Sequence, residues 1–258
     1  MNIKILCLAL SICFCGNMFA QVSTDVSKDK LKGTVRSVQT ESYEAKRNNP
    51  TPVKAIHLET YLTKYTREGL KERTEYLSGT GSLTYYAAYK RDAYGNIILE
   101  TIRDPKELAL GKTLFSYTDK NQVREEYIFS GYNELENAIS YHYDAKGNCI
   151  RKIYMVEGQN ITETHEQSYD TSNQLATVSI SNAKGKKKME ILYEYDTYQN
   201  PITTNTFDYT LAEVKLRAET FEYEYDAYGN WIRKIQYRLE KEKLVPYYIY
   251  ERKIEYYE

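Results

Sequence analysis

Phe221-Glu-Tyr-Glu-Tyr-Asp-Ala-Tyr-Gly-Asn-Trp-Ile-Arg-Lys-Ile-Gln-Tyr237 reads as a strand, a turn and a second strand. Up to Tyr225, rings and carboxylates alternate. Phe221, Tyr223 and Tyr225 therefore share one face and Glu222 and Glu224 the other, the signature of a half-buried strand. Asp226 can cap the amide two residues on, and Gly229 accepts a left-handed backbone, which together suit a type I hairpin turn with a glycine bulge. After the turn, apolar residues occupy both faces. In the parallel stretch these are Cys149, Ile153 and Met155 on one side and Ile150 and Tyr154 on the other. A sheet apolar on both faces cannot lie flat with water on each side, so it must curl or be covered.

The same phrase recurs. Aligned on the turn residue, the anchors are Thr66, Asp92, Thr118, Asp144, Asp170, Asp196 and Asp226: five steps of 26 residues, then one of 30. A fixed period of this length predicts stacked copies of one supersecondary unit. Tyr or, once, Arg precedes every anchor, and aromatic columns should run along one sheet face. Asp92, Gly95, Asp144, Gly147, Asp170, Asn173, Asp196, Asp226 and Gly229 are the turn-forming set. Gln199 fits the left-handed position poorly and Pro201 follows closely, which predicts a distorted turn there. Connections at the opposite ends, such as Ser130-Gly-Tyr-Asn-Glu134 and Asn182 to Lys188, read as longer and polar.

These features predict an all-β chain with no sizeable helical domain: an antiparallel meander of hairpins forming a long, twisted, curved sheet, an open half-pipe or superhelix. The expected division is a signal peptide over 1–20, a flexible N-terminus over 21–30 and one β domain over 31–258. Within that domain, atypical strands occupy 31–60, the recurring units 61–237 and closing strands 238–258. Leu31 to Tyr43 alternates as the opening strand. Glu251, Arg252, Lys253 and Glu255 would blunt the final edge against aggregation.

Met1 to Ala20 has one lysine, a short apolar run and Ala20 before Gln21, the pattern of an export leader rather than a membrane span. Lipidation at Cys13 or Cys15 is the alternative. Beyond the leader only Cys149 remains, so no intramolecular disulfide and no cysteine metal site can form. The formal net charge of −1 offers no electrostatic basis for holding nucleic acid. The expected localisation is periplasmic, outer-membrane-associated or extracellular.

The Tyr-Asp-x-x-Gly-Asn phrases, strongest at Asp144 and Asp226 and running from about Tyr61 to Tyr237, resemble the YD units of the RHS-repeat family. That resemblance implies extended antiparallel sheet, which large family members wind into a hollow shell. The opening segment also resembles small secreted proteins of unassigned role from Gram-negative envelopes.

No catalytic set assembles in the sequence. His57, His142 and His165 are not spaced as metal ligands, and the repeated Asp residues are explained by turns. Glu194, Glu222 and Glu224 fit a wet sheet face, with paired carboxylates for glycoside hydrolysis the less favoured reading. The lysines at 184, 186, 187 and 188 read as a solvated loop end. No metal, cofactor or catalytic residue is called, and the chain is not expected to be an enzyme. The candidate binding residues are Trp231, Tyr228, Tyr94 and Tyr198, as exposed rings that could stack on sugars. The expected role is an exported, non-enzymatic binding or scaffold module at the cell envelope, its partner a glycan or an envelope protein. A carbohydrate-binding module is the alternative.

Overall fold

The computed structural model describes residues 24–46, 51–157, 160–211 and 213–258. The leader over 1–20, with Cys13 and Cys15, lies outside the described residues. One turn of helix, α1 (Asp25–Lys28), precedes sixteen strands. These are β1 (Val35–Ala45), β2 (Lys54–Tyr65), β3 (Lys71–Ser78), β4 (Leu83–Arg91), β5 (Ile97–Arg103) and β6 (Ala109–Tyr117). Next come β7 (Val123–Ser130), β8 (Leu135–Tyr143), β9 (Cys149–Val156), β10 (Asn160–Tyr169) and β11 (Leu175–Asn182). The last are β12 (Lys187–Tyr195), β13 (Pro201–Asp208), β14 (Lys215–Tyr225), β15 (Trp231–Glu240) and β16 (Lys243–Tyr256).

Every strand pairs antiparallel with its sequence neighbours, and β1 also pairs with β16, so the sheet closes into a barrel. The open half-pipe or superhelix expected from the sequence is therefore incorrect. The cause is at the ends. The opening strand runs against the closing one from Val35↔Tyr256 to Glu44↔Tyr248 while its other edge pairs with β2. Closure removes both edges and so removes the need to blunt one. Arg252, read as an edge charge, instead lies opposite Thr40 of β1.

The turns make closure regular. At Asp92 the backbone amide donates to Asn96 O (3.0 Å) and the Gly95 amide donates back to Asp92 O (3.2 Å). The Asp92 carboxylate meanwhile accepts from the amides of Tyr94 and Asn96, each at 2.9 Å. The same backbone pair forms at Thr66, Thr118, Asp144, Asp170, Asp196 and Asp226. At the opposite mouth Ser78, Asp104, Ser130 and Asn182 make the identical turn, not a longer connection. Glu107 (φ 68°) and Asn133 (φ 66°) hold the left-handed position there, which hides the motif from a search for glycine. The turn at Asp196 is not distorted either. Gln199 adopts φ 68°, and the Asp196 carboxylate still accepts from Tyr198 N and Asn200 N.

The tyrosines ahead of the turns lace neighbouring hairpins together. Tyr117, Tyr143, Tyr169 and Tyr195 donate their hydroxyls to the carbonyls of Ile97, Val123, Cys149 and Leu175, at 2.7–2.9 Å. Each acceptor is the first residue of the strand after the preceding turn, beside the register shift at that turn. The hydroxyl thus satisfies a carbonyl at the disrupted end of the ladder.

Residues 24–34 cross the mouth that carries the Asp turns. Residues 21–30 were expected to be flexible, but from Thr24 onward they form α1 and its continuation. The Val26 amide donates to Gly69 O (3.0 Å) on one side of the mouth. On the other, Lys30 Nζ donates to Gln199 O (2.9 Å) and the Lys32 amide to Asn230 Oδ1 (2.8 Å). Asp25 is buried and accepts from the Lys71 amide (2.7 Å) and the Arg91 guanidinium. Val26 and Leu31 pack with Val35, Val38 and Tyr65, so this strap carries its own small core.

Candidate functional site

Partners in an antiparallel ladder share a face, so the register sorts every strand residue into inside or outside. The outer ring carries charge all round: Glu75 on β3, Glu125 on β7, Arg151 on β9, Glu166 on β10, Glu194 on β12 and Glu224 on β14. Arg151 pairs with Glu166 (2.8 Å) and Arg233 with Glu224 (2.7 Å) on this face. A lipid-facing barrel needs an apolar band here, and each midplane Arg or Lys costs about 2–4 kcal/mol. The same face also carries exposed Leu114, Leu192 and Leu216, so it mixes charge with apolar side chains. No helix among the described residues is long and apolar enough to cross a membrane.

The inner face holds rings and isolated charges. Eight strands already suffice for side chains to fill a barrel, so sixteen leave a lumen. Two small buried clusters form among the described residues, one around the strap and one, on the outer face with Glu222, of Ala45, Ile235 and Ile249 beneath Tyr43 and Tyr237. The extensive strand contacts all join ring neighbours rather than opposite walls.

At the strapped end of the lumen, β14, β15 and β16 bring together Tyr223, Trp231, Lys234, Tyr250 and Arg252. Lys234 stands opposite Tyr223 on one side and Tyr250 on the other. Its ammonium lies 4.0 Å from the Tyr250 ring centre, 5.5 Å from Trp231 and 5.9 Å from Phe221. The Arg252 guanidinium lies 3.5 Å from the Trp231 centre and donates through Nε to Thr40 Oγ1 at 3.3 Å. Burial, then the neighbouring Arg252 charge, lowers the Lys234 pKa to about 8. Burial lowers Arg252 to about 10. Tyr250 is pushed up to about 12, chiefly by burial.

Further round the wall stand Glu100 on β5 and Glu126 on β7. Burial raises both carboxyls, and the Glu126 charge raises Glu100 further. Glu126 accepts the Tyr141 hydroxyl at 2.6 Å. His165 on β10 contacts Glu163 (3.2 Å) and the Tyr154 ring (4.4 Å), and burial lowers its pKa. No group of three metal-ligating side chains occurs among the described residues.

The four rings proposed from the sequence separate. Trp231 faces the lumen, whereas Tyr94, Tyr198 and Tyr228 sit on exposed turns at the strapped mouth. Tyr198 stacks on Tyr225 and Tyr228 on Tyr256, each at 4.2 Å. Tyr94 is not part of that pair of stacks. Glu222 and Glu224 point outward and are held by Tyr237 and Arg233. A groove of about 530 Å³ lies on the outer face of β16, β1 and β2, lined by Arg36, Gln39, Lys64, Lys253 and Glu255. It mixes charges of both signs and holds no ring cluster like that of Tyr223, Trp231 and Tyr250.

Sequence reasoning missed Lys234 and Arg252. Lys234 was legible in principle, because it falls in register with Tyr223 once the bulge after Asp226 is counted. Arg252 was not, since only closure places it inside.

No family model matches the chain, and no curated protein does. The YD-unit resemblance thus has no family assignment behind it, and the barrel replaces the wound shell it implied. Among solved structures, a porin-like protein from Bacteroides uniformis matches 87% of this chain and 99% of its own, at 11% identity and a TM-score of 0.41. The Photorhabdus luminescens Tc holotoxin pore matches 82% of this chain at 12% identity and a TM-score of 0.29. The TcdB2-TccC3-TEV structure matches 82% at 12% identity and a TM-score of 0.28. The chain spans 14% of the length of those toxin chains.

Proposed function

We propose that this chain is an exported, non-enzymatic binding barrel of the cell envelope, whose lumen receives a glycan. The observation that carries the reading is the ring-lined inner wall over β12 to β16. Tyr193 and Tyr195 stand 6.3 Å apart, Tyr223 and Tyr225 6.0 Å, and Tyr223 lies 6.4 Å from Trp231. Binding compartments are lined by aromatic rings with a few placed polar groups. The charged outer face leaves the lumen as the place where such rings meet a ligand. Export rests on the leader over Met1 to Ala20.

Trp231 is the chain's one tryptophan, so its emission reports on the lumen alone. Titration of the mature protein with neutral and acidic envelope oligosaccharides should shift or quench that emission, with calorimetry giving matching affinities. A silent Trp231 and no heat across the panel would refute lumen binding. Release of reducing sugar during incubation would refute the non-enzymatic part.

A further inference from the structure

We infer that Lys234 and Arg252 form an anion seat at the strapped end of the lumen, which takes the carboxylate of an acidic sugar. The inference rests on the lumen-binding reading above and adds the chemistry of its ligand.

The seat is defined by cations with no carboxylate in contact; Asp29, the carboxylate that acts on Arg252, is engaged by Lys71 at 3.0 Å. Several other cations are paired: Lys71 with Asp29 (3.0 Å), Arg91 with Asp25, Arg233 with Glu224 (2.7 Å). The carboxylate nearest in effect to Lys234 is Glu219, and that group is engaged by Arg238 at 2.9 Å. Among the described residues, neither Lys234 nor Arg252 has a carboxylate within ion-pair distance. Aromatic faces surround them instead, at 3.5–5.9 Å. Cation–π contact offsets only part of the cost of taking a charge from water. Two adjacent cations left in that state mark a functional site more than a structural one.

The geometry favours a carboxylate. Arg252 spends Nε on Thr40 and holds its guanidinium 3.5 Å from the Trp231 ring centre, two contacts that restrain its fork. The terminal nitrogens remain free for two parallel hydrogen bonds, the arrangement that matches a carboxylate. Lys234 adds a point charge from the neighbouring strand. Both residues face inward by register and are only partly exposed, so what they expose opens to the lumen. Tyr223 and Trp231 beside them supply the surface against which the ring bearing that carboxylate would lie.

The test titrates the mature protein with tetragalacturonate, with its neutral methyl ester and with sodium sulfate, reading Trp231 emission and heat. The acid should bind at least tenfold more tightly than the ester. Lys234→Met and Arg252→Met should each reduce that preference at least tenfold, and Lys234→Met should hold or raise the melting temperature. Equal affinity for acid and ester would overturn the seat while leaving the glycan reading intact. Failure of both saccharides to bind would overturn both. Sulfate alone binding as tightly as the acid would overturn the acidic-sugar assignment.

Discussion

Asp25→Asn tests whether the strap is held by charge. The side chain of Asp25 is 3% exposed and that of Arg91 16%. Asparagine keeps an acceptor for the Lys71 amide, so the substitution removes the charge rather than the whole contact. Breaking a buried pair from one side costs about 3–5 kcal/mol. Arg91 would retain Gly95 O at 2.7 Å and Lys71 O at 2.9 Å, which lowers the expected loss to about 2–3 kcal/mol. For a chain of this size that is a fall in Tm of about 4–12 °C. Asp92→Ala provides the scale, because losing a turn cap costs about 1 kcal/mol. Thermal melts of both variants, of Arg91→Met and of the Asp25→Asn/Arg91→Met pair complete a double-mutant cycle. Limited proteolysis should also cut N-terminal to Val35 faster in Asp25→Asn than in Asp92→Ala. The reasoning fails if Asp25→Asn costs no more than Asp92→Ala, or if the two losses in the cycle simply add.

Gln199→Gly should stabilise the barrel by about 0.5–1 kcal/mol, since a left-handed backbone is free for glycine and strained for glutamine; an unchanged urea midpoint would contradict this. Glu126→Gln should raise Tm at pH 7, because burial raises this carboxyl and the amide still accepts from Tyr141. The sign follows from linkage: a raised acid weakens the fold as pH climbs from its unfolded value to its folded one, so the gain should vanish in acid. Lys234 acts in a different window. Its pKa is about 8 when folded against 10.5 in the open chain, so stability should rise as pH climbs between those values. Lys234→Met should flatten that slope. Finally, if the outer charges outweigh exposed Leu114, Leu192 and Leu216, the mature chain should stay in the aqueous phase during detergent phase separation, and recovery in the detergent phase would contradict this.

The alternation from Phe221 to Tyr225 and the anchors at Asp92, Asp144 and Asp226 made strands and turns legible, because both depend on contacts within a few residues. Two-sided hydrophobicity after the turns required the sheet to curl or to be covered, without choosing between them. What alternation could not reveal was how far the sheet curls, since an open and a closed sheet share one local pattern. The turns at Asp104 and Ser130 were read as looser connections because Glu107 and Asn133, not glycine, take the left-handed position. Trp231 was singled out from sequence, whereas its companions were not: Lys234 needed the bulge counted, and Arg252 needed β16 to meet β1.

The sequence by itself determined an all-β chain of short hairpins, because a strand's period and a turn's chemistry are local properties. Closure was decided only in three dimensions, by pairing Val35 to Glu44 with the far end of the chain. That long-range ladder assigns an inside and an outside, and with them the difference between a solvated charge such as Glu224 and an inward one such as Arg252.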